Sequence, residues 1–459
     1  MLIGSPEGHA AIRVIERLRA SGFRALLVGG CVRDLLLGTP PQDFDVATDA
    51  RPDAVLSIFP GSKAVGAHFG VVLVGDTEVA TFRSDNAYRD GRRPESVQFL
   101  SEPEADARRR DFTINALMLD PLSGEVYDYV GGRRDLDSRT LRAIGDPLER
   151  FREDHLRMLR AVRFAARLGF TLHPQTFEAI RAERSSIRLI AAERVRDELV
   201  RILTEGGART GFELLDQTGL LELILPEVAA MKGVAQPPEY HPEGDVWTHT
   251  LMLLEQLHHP TPTLALGALL HDVGKPPTFR IADRIRFDGH AETGAAIAAA
   301  IMTRFRFAHH EIEEVRELVA QHMKFKDVRQ MRDATLKRFL RLPAFDQHLE
   351  LHRIDCQASH GNLENYAFIG KKLAEYSREV LEPAPLLRGG DLIELGYAPG
   401  PLFGEILRAV EDAQLEGALQ TREEALAFVR SRWLQGTVGE HGEDQNSHDG
   451  QDAGRSHEL

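Results

Sequence analysis

The chain has 459 residues, 42% of them hydrophobic and 27% charged, with a formal net charge of −14. At roughly 100–200 residues per domain that length predicts about two to four domains of a soluble globular protein. No apolar run is long enough to span a bilayer, the first residues lack a basic segment followed by an apolar one, and the two cysteines, Cys31 and Cys356, give neither a disulfide framework nor a zinc site. A cytoplasmic protein is expected.

The net charge argues against a nucleic-acid binder only if charge is taken globally. It is unevenly spread: seven arginines lie between Arg83 and Arg110 and six between Arg150 and Arg167. Arginine suits bidentate phosphate recognition, so a basic groove on an acidic protein is compatible with a polyanionic substrate.

In chain order, Ile12 to Leu18 reads as a short amphipathic helix. Ala25-Leu26-Leu27-Val28 reads as a buried strand, Gly29 and Gly30 as a close approach or sharp turn, and Cys31 to Leu37 as a helix ended by Gly38, Pro40 and Pro41. In a strand over Asp43-Phe44-Asp45, both carboxylates share one face and Phe44 enters the core. Such a pair repels unless cations sit between its members, and Mg²⁺ is the expected hard cation. A glycine pair opening a helix offers backbone N–H groups to phosphate. Cradle and carboxylates together point to phosphoryl or nucleotidyl transfer with two metals; two solvated aspartates on a loop is the plain alternative.

Asp49 is expected to cap a helix with Pro52 in its first turn. Gly70–Val74 and Glu78–Phe82 read as a hairpin around Gly75-Asp76-Thr77, with Glu78 either a third carboxylate of the site or an edge residue facing water. Ser84–Pro94, SDNAYRDGRRP, is expected to be a mobile surface loop. Arg110 and Asp111 are placed to contact nucleotide phosphate or ribose, or Asp111 caps a helix. One amphipathic helix is predicted over Glu153–Phe164, with Glu153, Asp154, Arg157 and Arg160 on its polar face. Asp154 and Arg157 are either surface ion pairs, which spacing favours, or an edge that hydrogen-bonds a base. A further helix opens over Glu193–Glu198.

A second apparatus follows Pro226. His249 falls on a helix, His271-Asp272 follows the apolar run Leu264–Leu270, and His290, His322 and Asp355 come later. Imidazoles with carboxylates suit a divalent transition metal or a two-metal hydrolytic site. Helices close the chain over 389–433, and the residues from Gly436 to Leu459 are read as a disordered tail.

The successive motifs GGCVRDLLLG, DFDVAT, RRRDFTINAL, YDYVGGRRDL, REDHLRMLRAVRFAARLGF and ERVRDEL resemble those of the bacterial class II tRNA nucleotidyltransferases, the CCA-adding enzymes and their poly(A) polymerase relatives. HTLMLLEQL, LLHDVGKP, FDGHAE and RIDCQASHG resemble an HD phosphohydrolase domain, and RGGDLIELGYAPGPLFGEIL resembles the C-terminal region of CCA-adding enzymes. The resemblance implies an α+β protein: a nucleotidyltransferase (polymerase β-like) mixed sheet with helices, then an all-helical remainder. The implied division is a catalytic head over 1–145, a nucleotide-selecting neck over 146–225, an HD domain over 226–380 and a tRNA-binding region over 381–435.

It further implies that Asp43 and Asp45 hold two Mg²⁺ ions, one activating the tRNA 3′-hydroxyl and one supporting the leaving pyrophosphate. Gly29, Gly30 and Arg33 would contact the triphosphate, and Arg110, Asp111 and Asn115 would help select ribose. Asp154 and Arg157 would hydrogen-bond the incoming C or A, reversing the preference for surface ion pairs, with Arg160 and Arg163 also binding nucleotide. Glu193 and Arg194 would buttress that helix. His249, His271, Asp272 and Asp355 would ligate a divalent transition metal, with His290 and His322 on a second. The substrates implied are tRNA, CTP and ATP, with full CCA addition because the Ser84–Pro94 loop is not shortened. Phosphatase and 2′,3′-cyclic phosphodiesterase activities are implied for the HD domain. A poly(A) polymerase, and an HD phosphohydrolase whose N-terminal half only binds RNA, are the rival readings.

Overall fold

A computed structural model describes residues 4–66, 70–85, 97–239 and 241–433. The N-terminal head is built on a seven-stranded mixed sheet. Its strands are β1 (Ala25–Val28), β2 (Asp45–Thr48), β3 (Lys63–Gly66), β4 (Val71–Val74), β5 (Thr77–Thr81), and two shorter ones defined below. A separate pair, β6 (Arg83–Asp85) and β7 (Val97–Phe99), closes the base of the segment expected to be a loop. Ser84 and Asp85 are therefore strand residues, and the rest of that loop, from Asn86 to Pro94, lies outside the described residues. The large sheet is completed by β8 (Met118–Leu119) and β9 (Val126–Tyr127), in the order β3-β4-β5-β2-β1-β8-β9. Only the pairing of β2 with β5 is parallel; the others are antiparallel.

The apolar run in β1 is explained by burial on both faces. Ala25 and Leu27 enter one core cluster, Leu26 and Val28 the other. The larger cluster is continuous from Ala11 in the first helix, Pro6–Ala20, through Phe151 and Phe212 to Leu269 and Ala358. Head, neck and the helices carrying the second apparatus thus share one interior. The chain packs as two compact units: one runs through Lys326 and takes back Asp346–Tyr366, and the other is Asp327–Phe345 with the chain from Ala367 on. The second unit has its own core of Leu387, Leu392, Ile406, Val410 and Val429.

The structure corrects several expectations. Asp43 precedes the strand, which begins at Asp45, although Phe44 is buried as expected. The helix Pro52–Ile58 is capped by Arg51; Asp49 instead accepts the Arg24 N–H at 2.8 Å. The single helix expected over Glu153–Phe164 is two, Pro147–Glu153 and Arg157–Leu168, with Asp154 extended between them at φ −143° and ψ 104°. Hydrophobic periodicity is the same for one helix as for two with a short break, so it could not show the break. Asp154 competes with the helix for its own backbone: its Oδ1 accepts the Leu156 N–H at 3.1 Å. The remainder is helical as expected apart from two short strand pairs. Thr140–Leu141 pairs with Thr171–Leu172, and Arg280–Ile281 with Ile285–Arg286. Runs of two residues carry no readable alternation. Among the described residues, no helix is long and apolar enough to cross a membrane.

Candidate active site and metal centre

Gly29 sits where β1 turns into the helix Gly30–Leu37. Its φ of 78° is left-handed, and a Cβ there would lie 3.2 Å from Arg110 Nη1 and 3.8 Å from Asp45 Oδ2. The conformation therefore demands glycine. The helix begins with free backbone N–H groups beside a cavity of about 780 Å³. Asp43, Asp45, Glu78, Arg110, Asp154 and Arg157 all line it, as do Gly29, Gly30, Arg33, Asp111 and Asn115. Residues spread over 130 positions of sequence are brought to one cleft.

Asp45 is pushed up to about 6, first by burial, then by the neighbouring charges of Asp43 and Glu78. Parallel pairing of Val46 with Val79 sets Glu78 at the level of Asp45 on the adjacent strand, so it belongs to the acidic group. Carboxylates gathered this closely form a site for a hard cation. Cys31 takes no part: burial pushes its thiol up to about 12, and it donates to Val28 O at 3.2 Å.

The residues expected to choose ribose form one network. Arg33, 2% exposed, donates to Asn115 Oδ1 at 2.7 Å; Asn115 donates to Asp111 Oδ1 at 3.3 Å; and Asp111 Oδ2 accepts from Arg160 at 2.6 and 2.9 Å. Asp111 is not a helix cap: it accepts its neighbour Phe112 N–H at 2.8 Å and is otherwise held by Asn115 and Arg160. In the gap between the two neck helices, Arg194 Nη2 donates to both Asp154 oxygens at 3.2 and 3.3 Å, and Arg157 pairs with Glu153 at 2.5 Å. Arg163 lines the cavity with its guanidinium held by Glu198 at 2.7 Å and Glu205 at 2.9 Å.

Two contributors were not singled out in the sequence. Phe164, 7% exposed, has the guanidinium carbons of Arg33, Arg160 and Arg163 at 5.4, 5.4 and 4.3 Å from its ring centroid. The negative ring face lowers the cost of gathering three cations. If each contact contributes about 0.5 kcal/mol, Phe164→Leu is expected to raise KM for the triphosphate about tenfold, measured by steady-state kinetics, while Phe164→Tyr changes it little. Asp106 is buried and pairs with Arg109 at 2.7 Å and Arg110 at 3.0 Å. Its spacing of three and four residues from them on the helix Pro103–Arg108 was the available signal.

Burial pushes the Asp106 carboxyl up, but Arg110 and Arg109 outweigh it and hold it below the usual carboxylate value. A group with a lower value folded than unfolded stabilises the fold fully above its unfolded value, about pH 4, and the contribution is lost as pH falls through the folded value. Asp106→Asn is therefore expected to cost about 3 kcal/mol at pH 7. Denaturant melts at a series of pH values should show the gap to wild type closing toward pH 3.

The second apparatus is a compact cluster in the helical part. His249 lies on the helix Val246–Glu255, His271 and Asp272 just after Pro262–Leu270, His290 at the start of His290–Arg304, His322 just after His309–Gln321, and Asp355 on Phe345–Ala358. Three Nδ1 atoms are held by backbone carbonyls: His271 by Ala268 O at 2.9 Å, His290 by Phe287 O at 2.8 Å and His322 by Val319 O at 2.6 Å, while His249 Nδ1 lies 2.7 Å from Glu243 Oε1. Neutral rings held this way carry their lone pairs on Nε2. Those atoms face each other, His249 against His271 and His290 against His322, each pair at 3.3 Å.

Asp272 lies between the two pairs. Its Oδ2 is 3.1 Å from His271 Nε2 and 3.9 Å from His249 Nε2; its Oδ1 is 3.6 and 3.8 Å from those of His290 and His322. Asp355 Oδ1 stands 3.1 Å from His249 Nε2. Two sets of converging lone pairs across one carboxylate fit a pair of divalent cations, and two groups of potential ligands, His249-His271-Asp355 and Asp272-His290-His322, are present. Burial would push His249 down, but Asp355 and Glu243 outweigh it and carry it up to about 9. Lys275 Nζ lies 2.6 Å from Asp272 Oδ2 and 2.6 Å from Gln236 Oε1. The cluster opens on a cavity of about 890 Å³ also lined by Arg284, Arg286 and Lys326. Sequence reading missed Glu243, whose place six residues before His249 follows no ligand spacing.

A glycine turn opening a helix beside an acidic group on a mixed sheet, joined to a basic helical neck, is the arrangement of a nucleotidyltransferase. Comparison with known proteins agrees. Residues 25–142 match the poly A polymerase head domain, 169–232 the probable RNA and SrmB-binding site of polymerase A, and 245–354 the HD domain. The A-adding tRNA nucleotidyltransferase of Deinococcus radiodurans is 36% identical over 440 residues, 90% of this chain and 96% of that one. The CCA-adding enzyme of Streptococcus pneumoniae is 32% identical over 435 residues, 93% of this chain and 98% of that one. The solved CCA-adding enzyme of Bacillus stearothermophilus in complex with CTP superposes with a TM-score of 0.71 at 26% identity, covering 94% of this chain and 100% of that one. The chain belongs to the bacterial CCA-adding tRNA nucleotidyltransferase family, carries an HD domain, and is an enzyme using divalent metal.

Proposed function

We propose that this protein adds C, C and A to tRNA 3′ ends from CTP and ATP, with protein side chains in place of a nucleic-acid template. The observation that carries the reading is the break between the two neck helices, which sets Asp154 and Arg157 on the wall of the cavity that also holds Asp43 and Asp45. A carboxylate acceptor and a guanidinium donor side by side can hydrogen-bond the edge of a base. Mg²⁺ held by Asp43 and Asp45 would supply a nucleophilic 3′-oxygen and neutralise the departing pyrophosphate. Gly29, Gly30, Arg33 and Arg110 bind the triphosphate, and the Arg33–Asn115–Asp111–Arg160 network fixes the ribose side.

One full-length relative is named A-adding and another CCA-adding. Full addition is supported by SDNAYRDGRRP, a stretch as long as the switch from C to A requires in the family resembled. Three tRNA transcripts, ending at the discriminator base, in C and in CC, decide between them. CTP alone should extend the first two and ATP alone the third. Activity confined to the CC-ended transcript would make the protein an A-adding enzyme.

For the HD domain we propose a divalent transition metal at His249, His271, Asp272 and Asp355, a second at His290 and His322 with Asp272, and hydrolysis of phosphoesters in the adjoining basic cavity.

A further inference from the structure

The helix Ala192–Thr204 stands between the base-reading residues and the HD domain. Its first turn is held from both sides. Arg194 reaches Asp154, as described. Glu193 Oε1 accepts from Arg306 Nη1 at 2.6 Å; Arg196 Nη1 donates to Arg306 O at 2.7 Å and its guanidinium carbon lies 5.5 Å from the Phe307 ring centroid. Arg306 and Phe307 belong to the turn that ends the HD helix His290–Arg304. That turn is well defined: Arg306 is left-handed at φ 58°, its N–H meets Thr303 O at 3.0 Å, and the Phe307 N–H meets Met302 O at 3.1 Å. Arg304 fastens the same helix end to Glu227 at 2.5 and 2.9 Å.

The side chains of Arg306 and Glu193 are 69% and 39% exposed, so their pairing contributes little to global stability. Its consequence is local. Arg194 lies between Glu193 and Arg196, and a shift of that turn changes where the Arg194 guanidinium meets Asp154. Two adjacent residues pulling in different directions fix the rotation of a helix start, and the base-reading carboxylate inherits that placement.

We propose that the turn Phe305–Phe307 of the HD domain is a specificity-determining support for nucleotide addition: by holding Glu193 and Arg196 it fixes Arg194 against Asp154, so the HD domain tunes the choice between CTP and ATP independently of its own metal chemistry. The inference rests on Asp154 reading the incoming base. Arg306 and Arg196 act through other residues and are positioning residues.

The test uses the full chain and a tRNA ending in CC, with kcat/KM measured separately for ATP and CTP. Arg306→Gly removes the side chain while suiting the positive φ, and Arg196→Ala removes the other two contacts. Each is expected to lower the preference for ATP over CTP about three- to tenfold, with kcat for ATP within about twofold of wild type. Exchanging the charges, Glu193→Arg with Arg306→Glu, should restore part of the preference lost in either single variant. Unchanged preference in Arg306→Gly and Arg196→Ala, alongside lost preference in Asp154→Ala, would overturn the coupling and leave the base-reading assignment standing. Equal losses for both nucleotides would also overturn it. Unchanged preference in Asp154→Ala would overturn both.

Discussion

Asp45→Ala is expected to reduce nucleotide addition at least about a thousandfold. The cation site there accounts for several kcal/mol of the barrier, and each ~1.36 kcal/mol is tenfold in rate. The Asp45 carboxyl is raised by burial and by Asp43 and Glu78. Asp43→Ala should behave the same way. Glu78→Gln should cost less, because Glu78 is an exposed member of the group on the neighbouring strand. Removing one of three mutually repelling carboxylates leaves the fold intact, so the melting temperature should not fall. The HD metal content should be unchanged in all three. Retained addition in Asp45→Ala would place the chemistry elsewhere.

The second large effect concerns Asp272. Its carboxylate lies within 3.9 Å of the Nε2 atoms of His249, His271, His290 and His322. Asp272→Ala is expected to abolish binding at both metal positions, so that elemental analysis of the purified protein falls from about two divalent ions at the HD site to about none. His290→Ala should remove one and leave the other. The substitution also strips buried Lys275 of its carboxylate partner, leaving Gln236. Asp272→Ala should therefore be destabilised by about 3 kcal/mol, whereas His290→Ala, with no such partner, should not. Any phosphohydrolase activity is lost with the metals; addition of nucleotides to tRNA survives. Full metal content in Asp272→Ala would refute the bridging assignment.

The parts of the site legible in the sequence were those carried by short, contiguous patterns. Gly29-Gly30 and Asp43-Phe44-Asp45 announce a cradle and an acidic group by residue type alone, and the positive φ of Gly29 requires a glycine there. The His and Asp residues of the HD cluster were legible because their types are rare in combination, although their meeting around Asp272 depends on five separate helices. What could not be read depends on distant partners. Spacing assigned Asp154 and Arg157 to one helix face; the break at Asp154 is a tertiary fact, and Arg194, 40 residues on, was tied to that helix only through the family resemblance. The same holds for Phe164, whose period-3.6 position marks it as core but not as the ring beneath three arginines. Short strands such as Thr140–Leu141 exist only because a partner stands at Thr171–Leu172.

The central claim is that side chains of this protein specify both the identity and the number of nucleotides added. The most direct measurement is sequencing of the 3′ ends that the wild-type protein makes on a tRNA transcript lacking its last three residues, with all four nucleoside triphosphates present. The account predicts ends reading CCA, no incorporated U or G, and no growth past the A. Runs of A added directly to the transcript, or a transcript left unextended while one ending in CC gains a single A, would contradict it.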